Sequence, residues 1–335
     1  QLDVIHNTDA LSGFRMLSDE SVDCVVTSPP YWQMRDYGIA PTLWVAIRVA
    51  PISSTDMASA KTAGLEGQLG LEPTRDDFIE HLCLIFDECC RVLKASGTMF
   101  VNLGDSYSKP HKYNTYQDPK YYQKTKNTKC LMEMKVRKED HKIRAKSLCN
   151  IPNKFADEMI LRGWILRNEI IWYKPACMPQ SMRDRFTNDF EKIFFFTKSP
   201  KYYFEQQFEE YADLRTTNAM TANGKGEMLR KLSGKPEGMK EIDPRGRNMR
   251  CVWRVPFEPS HEFHFAMYPS RLVETPIRAG SPVGGACWIR LWVGDDSGSC
   301  PKIGRRYIGF EPNPEYITIA EKRLRNTIVK KQLFE

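Results

Sequence analysis

The chain has 335 residues, enough for one large α/β domain or two smaller ones, and its 41% hydrophobic and 27% charged content is ordinary for a soluble globule. No apolar run approaches the roughly 20 residues that cross a bilayer, and "QLDVIHNTDAL" has no basic region ahead of an apolar core. A membrane span and a secretory leader are therefore not expected, and a cytoplasmic location is.

In chain order, "LDVIHNT" reads as a strand and "DALSGFRMLSD" as a helix, followed by "VDCVVTS", a strand apolar enough to be buried on both faces. Residues 39–70 are weakly patterned. "TRDDFIEHLCLIFDECCRVLKASG" is an amphipathic helix with Thr74 as N-cap, acids in its first turn and Gly97 past its end. "TMFVNLGD" is the next strand. "IPNKFADEMILRGW" reads as a helix, "ILRNEIIWYK" and "KIFFFTK" as strands, and residues 205–252 as a polar stretch. "YPSRLVETPIRAG" is a helix, "RRYIGFEPN" a strand and "PEYITIAEKRLRNTIVKK" a closing helix. Strands alternating with helices imply a mainly parallel sheet with helices on both faces.

The net charge of +7 is unevenly placed. Residues 109–146 hold ten Lys and two Arg against two Asp and two Glu, a local charge of +8 that leaves the remainder near neutral. A tyrosine-studded basic segment on a neutral body fits contact with a polyanion, though lysine-rich solvated loops also look like this. The ten cysteines form no CxxC pair and read as reduced, mostly buried thiols. No metal site is expected.

"TSPPYW", residues 27–32, ends a buried strand in two prolines and two aromatics. Ligands of open α/β sheets sit beyond the carboxyl ends of strands. Prolines stiffen such a bend. A proline carbonyl there can accept a hydrogen bond from an amine, and the Tyr31 ring offers a face for a planar ring. The bend suits an aromatic amine.

This motif, after "VDCVV" and before "RDYG", resembles the catalytic motif of the amino-methylating DNA methyltransferases. Further blocks resemble the same family: "RVLKASGTMFVNLGDSY", "SLCNIPNKFADEMILRGWILRNEIIWYKP", "RDRFTNDFEKIFFFTKSPKYYFE", "HFAMYPSRLVETPIRAGSPVG" and "GRRYIGFEPNPEYITIAEKRL". Their order, catalytic motif first and cofactor motif last, is that of the permuted β group. The resemblance implies a Rossmann-like S-adenosylmethionine-dependent methyltransferase fold, S-adenosyl-L-methionine as cofactor and double-stranded DNA as substrate. A restriction–modification or phage setting follows, with a cognate restriction endonuclease as a possible partner and a monomer or homodimer as the assembly.

By the same resemblance, Ser28, Pro29, Pro30 and Tyr31 are catalytic. The flipped base stacks on Tyr31, while the Ser28 hydroxyl and the Pro29 carbonyl accept from the exocyclic amine. Ser28 in first position leans toward cytosine N4, with adenine N6 left open; no Pro-Cys dipeptide offers a thiolate for carbon-5 chemistry. Asp9, His264, Tyr268, Pro269, Gly294, Gly298 and Glu311 are the cofactor residues, with Glu311 set to take both ribose hydroxyls. Lys112, Lys120, Lys124 and Lys126 in the basic insertion are candidate DNA contacts. So are Arg183 and Arg185, unless ion-paired, and Lys225, Arg230, Lys231, Lys235, Arg245, Arg247 and Arg250 in the target-recognition segment. The expected division is a catalytic half at 1–108, a basic insertion at 109–147, a continuation of the catalytic domain at 148–204, a target-recognition segment at 205–255 and a cofactor-binding part at 256–335.

The chain departs from the family where the main cofactor motif, about "VLDPFxGSGTT", is due. It reads "ACWIRLWVGDDSGSCPKI", with Arg290 in a stretch expected to be a buried strand and Asp295 and Asp296 in the turn. An unpaired arginine inside such a strand is costly. Reading the codons of residues 286–293 from each third base forces Leu, Asp and Gly and permits the rest of "VLDPFxG". We read the stretch as translated out of frame. Residues 43–64 permit a similar shift, toward a Cys/His knuckle the chain itself lacks. Two further readings stay open: a DNA-binding remnant without catalysis, and transfer to RNA or a protein amide through the same bend.

Overall fold

A computed structural model of the chain describes residues 2–34, 36, 42–44, 65–108, 143–211, 244–257, 269–289 and 296–334, with backbone only at 42, 43, 65, 66, 289, 296–298 and 326–334. Twelve strands and six helices follow in order among these residues. They are β1 (Val4–His6), α1 (Ala10–Arg15), β2 (Val22–Thr27), β3 (Thr42–Trp44), β4 (Leu65–Gly67), α2 (Arg75–Val92), β5 (Leu93–Leu103), α3 (Ile151–Leu161) and β6 (Ile165–Tyr173). The second half holds β7 (Phe190–Thr197), β8 (Phe208–Glu209), β9 (Arg247–Asn248), β10 (Val252–Arg254), α4 (Ser270–Gly280), β11 (Ala286–Ile289), α5 (Asp296–Lys302), β12 (Arg306–Phe310) and α6 (Pro314–Phe334).

Eight strands form one sheet in the order β1-β12-β11-β2-β5-β7-β6-β10. Only β7 runs against the others. The parallel strands therefore end on one edge, and the antiparallel β7 brings its first residues, Phe190 and Glu191, to that same edge. β2 is buried along its whole length, as its apolar sequence requires. Along β5, Met99, Val101 and Leu103 face the layer of α1, α2 and α3, while Phe100 faces that of α4. The expected α/β sheet with helices on both faces is present.

α2 begins as its sequence predicts. Thr74 Oγ1 accepts from the Asp77 N–H at 3.1 Å, and Asp76 and Asp77 occupy the first turn. Its end differs from expectation. The helix stops at Val92, and Leu93 turns straight into β5 with φ −72° and ψ 132°. Val22 pairs with Leu93 and Cys24 with Thr98, so residues 94–97 bulge from the ladder. Gly97 serves that bulge, where a Cβ would lie 2.6 Å from the Leu93 side chain. β11 is described as far as Ile289, and Arg290, expected inside a buried strand, lies outside the described residues. The cysteines are mostly buried as expected, with Cys251 the exposed exception among those described.

Asp23 pins the sheet's centre. One carboxylate oxygen accepts from Lys94 Nζ at 2.8 Å and the other from the buried N–H of Ala286 at 2.8 Å, where β11 joins β2. Asp23→Ala removes that buried acceptor and should cost about 1–3 kcal/mol. The check is a fall in the urea midpoint with unchanged slope. No helix among the described residues is long and apolar enough to cross a membrane.

Candidate active site

β11 continues through α5 to β12 on one side, whereas β2 leads through α2 to β5 on the other. The sheet's topological switch thus falls between β11 and β2, and the crevice outside their carboxyl ends is where this fold binds ligands. The bend Ser28–Tyr31 leaves β2 at that point. Ser28, Pro29 and Pro30 are buried and Tyr31 is partly buried.

Tyr31 is held at its hydroxyl. It donates to Glu191 Oε2 at 2.5 Å, Asn102 Oδ1 lies 3.0 Å away, and Ser28 Oγ donates to it at 3.3 Å. Asn102 is itself oriented, because its Nδ2 donates to the Lys192 carbonyl at 3.1 Å. Glu191 is paired through its other oxygen with Lys174 Nζ, and that ammonium sits 4.3 Å from the Trp172 ring centre and 5.3 Å from that of Phe257. The Tyr31 ring lies on the backbone of Gly104, where a Cβ would fall 2.4 Å from Cε2. Gly104→Ala should displace the pinned ring, changing the near-ultraviolet circular dichroism while the far-ultraviolet spectrum stays the same.

The next turn is also supported. Trp32 is buried and its Nε1 donates to the Glu72 carbonyl at 3.0 Å. The Glu72 carboxylate accepts from the Gly70 N–H at 2.8 Å and lies 3.1 Å from His81 Nδ1, whose ring stacks on Trp44. Gly70 has φ +96° and packs on Pro30 and the Tyr31 carbonyl, so its backbone conformation and the close approach both ask for glycine. Beyond β5, Asp105 Oδ1 accepts from the N–H groups of Ser106 and Ile151, at 2.8 and 3.2 Å, joining the site's edge to the start of α3. Burial raises its carboxyl above the usual range despite those bonds.

Two of the residues expected to hold the cofactor, Asp9 and Glu311, come after β1 and β12, which pair in the same sheet. Glu311 directly follows β12, is 7% exposed, and accepts from the Asn313 N–H at 2.8 Å. Asn7, after β1, donates to the carbonyls of Glu311 and Pro312, at 3.0 Å each. Asp9 caps α1, accepting from the Ser12 N–H at 2.9 Å. Pro269 is the residue before α4 and is buried, and Gly298 lies inside α5. His264, Tyr268 and Gly294 fall outside the described residues, as do Lys112, Lys120, Lys124, Lys126, Lys225, Arg230, Lys231 and Lys235.

Among the candidate DNA contacts, Arg183 is exposed. Arg185 lies 4.0 Å over the Tyr107 ring and donates to Gln180 Oε1 at 2.7 Å. Asp184, between them, pairs with Lys146 at 2.7 Å, and that ammonium holds its carboxyl below the ordinary value. Arg247 and Arg250 share the Glu209 carboxylate at 2.8 and 2.5 Å, so the ribbon of β8 and β9 uses both as ion-pair partners. Arg245 sits 4.2 Å over the Phe208 ring.

Residues 22–322 match the family model described as DNA methylase, the N6/N4 methyltransferases. The chain belongs to this family. This DNA methylase is 33% identical over 320 residues to the type II methyltransferase M.Cfr9I of Citrobacter freundii, covering 94% of the chain and 85% of the relative. It is 30% identical to the type II methyltransferase M.SmaI of Serratia marcescens, covering 94% and 88%. Its fold resembles that of the cytosine-N4-specific PvuII DNA methyltransferase, with TM-score 0.56 and 14% identity over 95% of this chain and 85% of the other. It also resembles a putative DNA modification methylase of Thermus thermophilus solved with S-adenosyl-L-methionine, with TM-score 0.53 and 18% identity over 96% and 93%. The fold is the Rossmann-like one of the S-adenosylmethionine-dependent methyltransferases.

Sequence reasoning missed Glu191, Asn102, Lys174 and Glu72. Glu191 stands in "FEKIFFFT", where a lone acid opens an otherwise apolar strand. Its bearing on the site depends on β7 running backwards, which the strand's own residues do not reveal.

Proposed function

We propose that this DNA methylase is a type II, site-specific enzyme that methylates the exocyclic amine of an extruded base, with cytosine N4 as acceptor. The observation that carries the reading is the Ser28–Tyr31 bend at the sheet's switch point, with the tyrosine hydroxyl fastened inward. Fastening the hydroxyl leaves the orientation of the ring determined before a base arrives. An extruded base stacked on that ring presents its amine to the Ser28 hydroxyl and the Pro29 carbonyl. Both accept hydrogen bonds, which directs the nitrogen lone pair away from the bend. The serine in first position and the cytosine-N4-specific fold relative both favour cytosine; adenine N6 is the other acceptor the same geometry admits.

The described residues fit S-adenosylmethionine at its ribose end. Glu311 is a largely buried carboxylate at a strand's end beside the switch point, suited to a diol. Asp9 and Pro269 would lie along the same edge, with His264, Tyr268, Gly294 and Gly298 completing the site. Bound there, with Glu311 on its ribose, the cofactor would supply an electrophilic methyl group to the base nitrogen. Residues 1–108 and 148–204 form the catalytic body in this reading, and 256–335 the cofactor part. Residues 109–147 and 205–255, with Arg183 and Arg185, meet the DNA, and a restriction endonuclease of the same specificity is the expected companion.

Incubation with plasmid DNA and tritiated S-adenosylmethionine at millimolar concentration, then mass spectrometry of the nucleosides, tests the proposal. N4-methylcytosine is expected; N6-methyladenine would correct the base, and no labelled nucleoside would overturn the activity. One observation favours a second reading, a DNA-binding remnant. The Trp288 indole N–H in β11 is buried without a hydrogen-bond partner among the described residues, a sign that the strand carries residues not suited to it.

Neutralising lysines in 109–146 should flatten the salt dependence of DNA binding by about 0.9 in log–log slope for each phosphate the variant ceases to neutralise. Fluorescence anisotropy at four salt concentrations measures it, and an unaltered slope would put that segment away from the phosphates.

A further inference from the structure

We propose that Glu191, acting through Tyr31 and Ser28, receives the proton that the base amine must shed, so that the tyrosine is a link in a proton relay as well as a shelf. The inference rests on the methyltransferase reading above. An amine that has gained a methyl group is cationic and carries one hydrogen too many. Ser28 is the bend's hydroxyl nearest in sequence to the carbonyl that would hold that amine, and its own hydrogen points at Tyr31 Oη over 3.3 Å. The Tyr31 hydrogen in turn points at Glu191 Oε2 over 2.5 Å. The bonds run in one direction, from hydroxyl to hydroxyl to carboxylate.

The surroundings of Tyr31 Oη are what a relay requires and a clamp does not. The phenol has one hydrogen and faces two acceptor oxygens, Glu191 Oε2 and Asn102 Oδ1 at 3.0 Å. Asn102 cannot turn its amide to offer a donor without losing its bond to the Lys192 carbonyl. Before transfer, the phenol hydrogen lies toward the carboxylate, the stronger acceptor. In the relay step the amine N–H bond breaks and an O–H bond forms at Ser28. The former Ser28 hydrogen passes to Tyr31 Oη, and the former Tyr31 hydrogen to Glu191 Oε2. The carboxylate becomes a carboxylic acid and the base is left neutral. The acid's hydrogen can then point back at Tyr31 Oη, while the new phenol hydrogen turns to Asn102. Each state of the chain has a complete set of bonds. Lys174, paired with the other Glu191 oxygen and lodged against Trp172 and Phe257, keeps the acceptor oriented.

Two variants separate the relay from mere support. Tyr31→Phe keeps the ring and removes the link; Glu191→Gln keeps the shape and removes the proton acceptor. Each should slow single-turnover methyl transfer to plasmid DNA about a hundredfold while DNA affinity stays within about threefold. The double variant should be no slower than the worse single one, because both break one path. Multiplying effects, or losses confined to DNA affinity, would overturn the relay. A second readout needs no catalysis. In protein carrying tyrosine labelled with carbon-13 at Cζ, the signal missing from Tyr31→Phe is that of Tyr31, and it should move in Glu191→Gln. A signal that stays in place would overturn the link between the two residues. If the unaltered chain transfers no methyl while the signal moves, the proposed activity fails and the hydrogen-bonded chain stands.

Discussion

Tyr31→Ala is expected to lower methyl transfer by between about fivefold and a hundredfold from stacking alone, since a base–aromatic stack is worth about 1–3 kcal/mol. The true loss should be at the upper end or beyond. The variant also takes away the hydroxyl that joins Ser28 to Glu191 and opens space above Gly104, which the ring now covers. Comparison with Tyr31→Phe divides the two contributions, because the phenylalanine variant retains the stacking face. Tritium transfer at millimolar cofactor gives the rates, and circular dichroism guards against loss of fold. The buried core is not expected to suffer, as Tyr31 only borders the cluster that Trp32, Phe78 and Leu103 build. If the alanine variant transfers methyl as fast as the unaltered chain, the base does not rest on this ring.

Much of the arrangement was legible in the residues. β2 announced itself by an apolar run too continuous for a half-exposed strand, and α2 by Thr74, two acids and an apolar stripe. The bend at 28–31 could be placed at a strand's carboxyl end from local pattern alone, and so could Glu311. What could not be read are features that depend on strands distant in sequence. Glu191 is 160 positions from Tyr31 and meets it only because β7 is antiparallel. Asn102 looks like a polar lapse near the end of β5 until its amide is seen fastened to Lys192. Gly97 looked like a helix stop because glycine commonly is one; the parallel pairing of β5 with β2 made it part of a bulge. That Glu209 engages both Arg247 and Arg250 is likewise a matter of strands brought together from a distance.

Restoring the cofactor strand should produce a still larger effect. The substitutions Cys287→Val, Trp288→Leu, Ile289→Asp, Arg290→Pro, Leu291→Phe, Trp292→Leu and Val293→Gly write the shifted reading back into the chain. At position 288 the change removes the indole N–H that has no partner among the described residues and leaves an aliphatic side chain facing Phe14 and Phe310, the rings Trp288 now touches. At 289, paired in register with Val26, it sets a carboxylate at the strand's end, two residues before the bend begins at Ser28. Glycine at 293 writes back the first glycine of the expected cofactor motif, a residue type that permits close backbone approach. The unaltered chain is expected to bind S-adenosylmethionine no more tightly than about millimolar, and the restored chain in the micromolar range, a gain of about 4 kcal/mol. Calorimetric titration of both measures it. A micromolar constant for the unaltered chain would mean that "ACWIRLWVGDD" already forms a working cofactor loop, and the frame-shift reading would then fail; an error-free, in-frame read of the source DNA would reject it independently. A gain on restoration, joined to methyl transfer at low cofactor concentration, would show that the sheet had kept the place of this strand, between β12 and β2, while its sequence lost the chemistry.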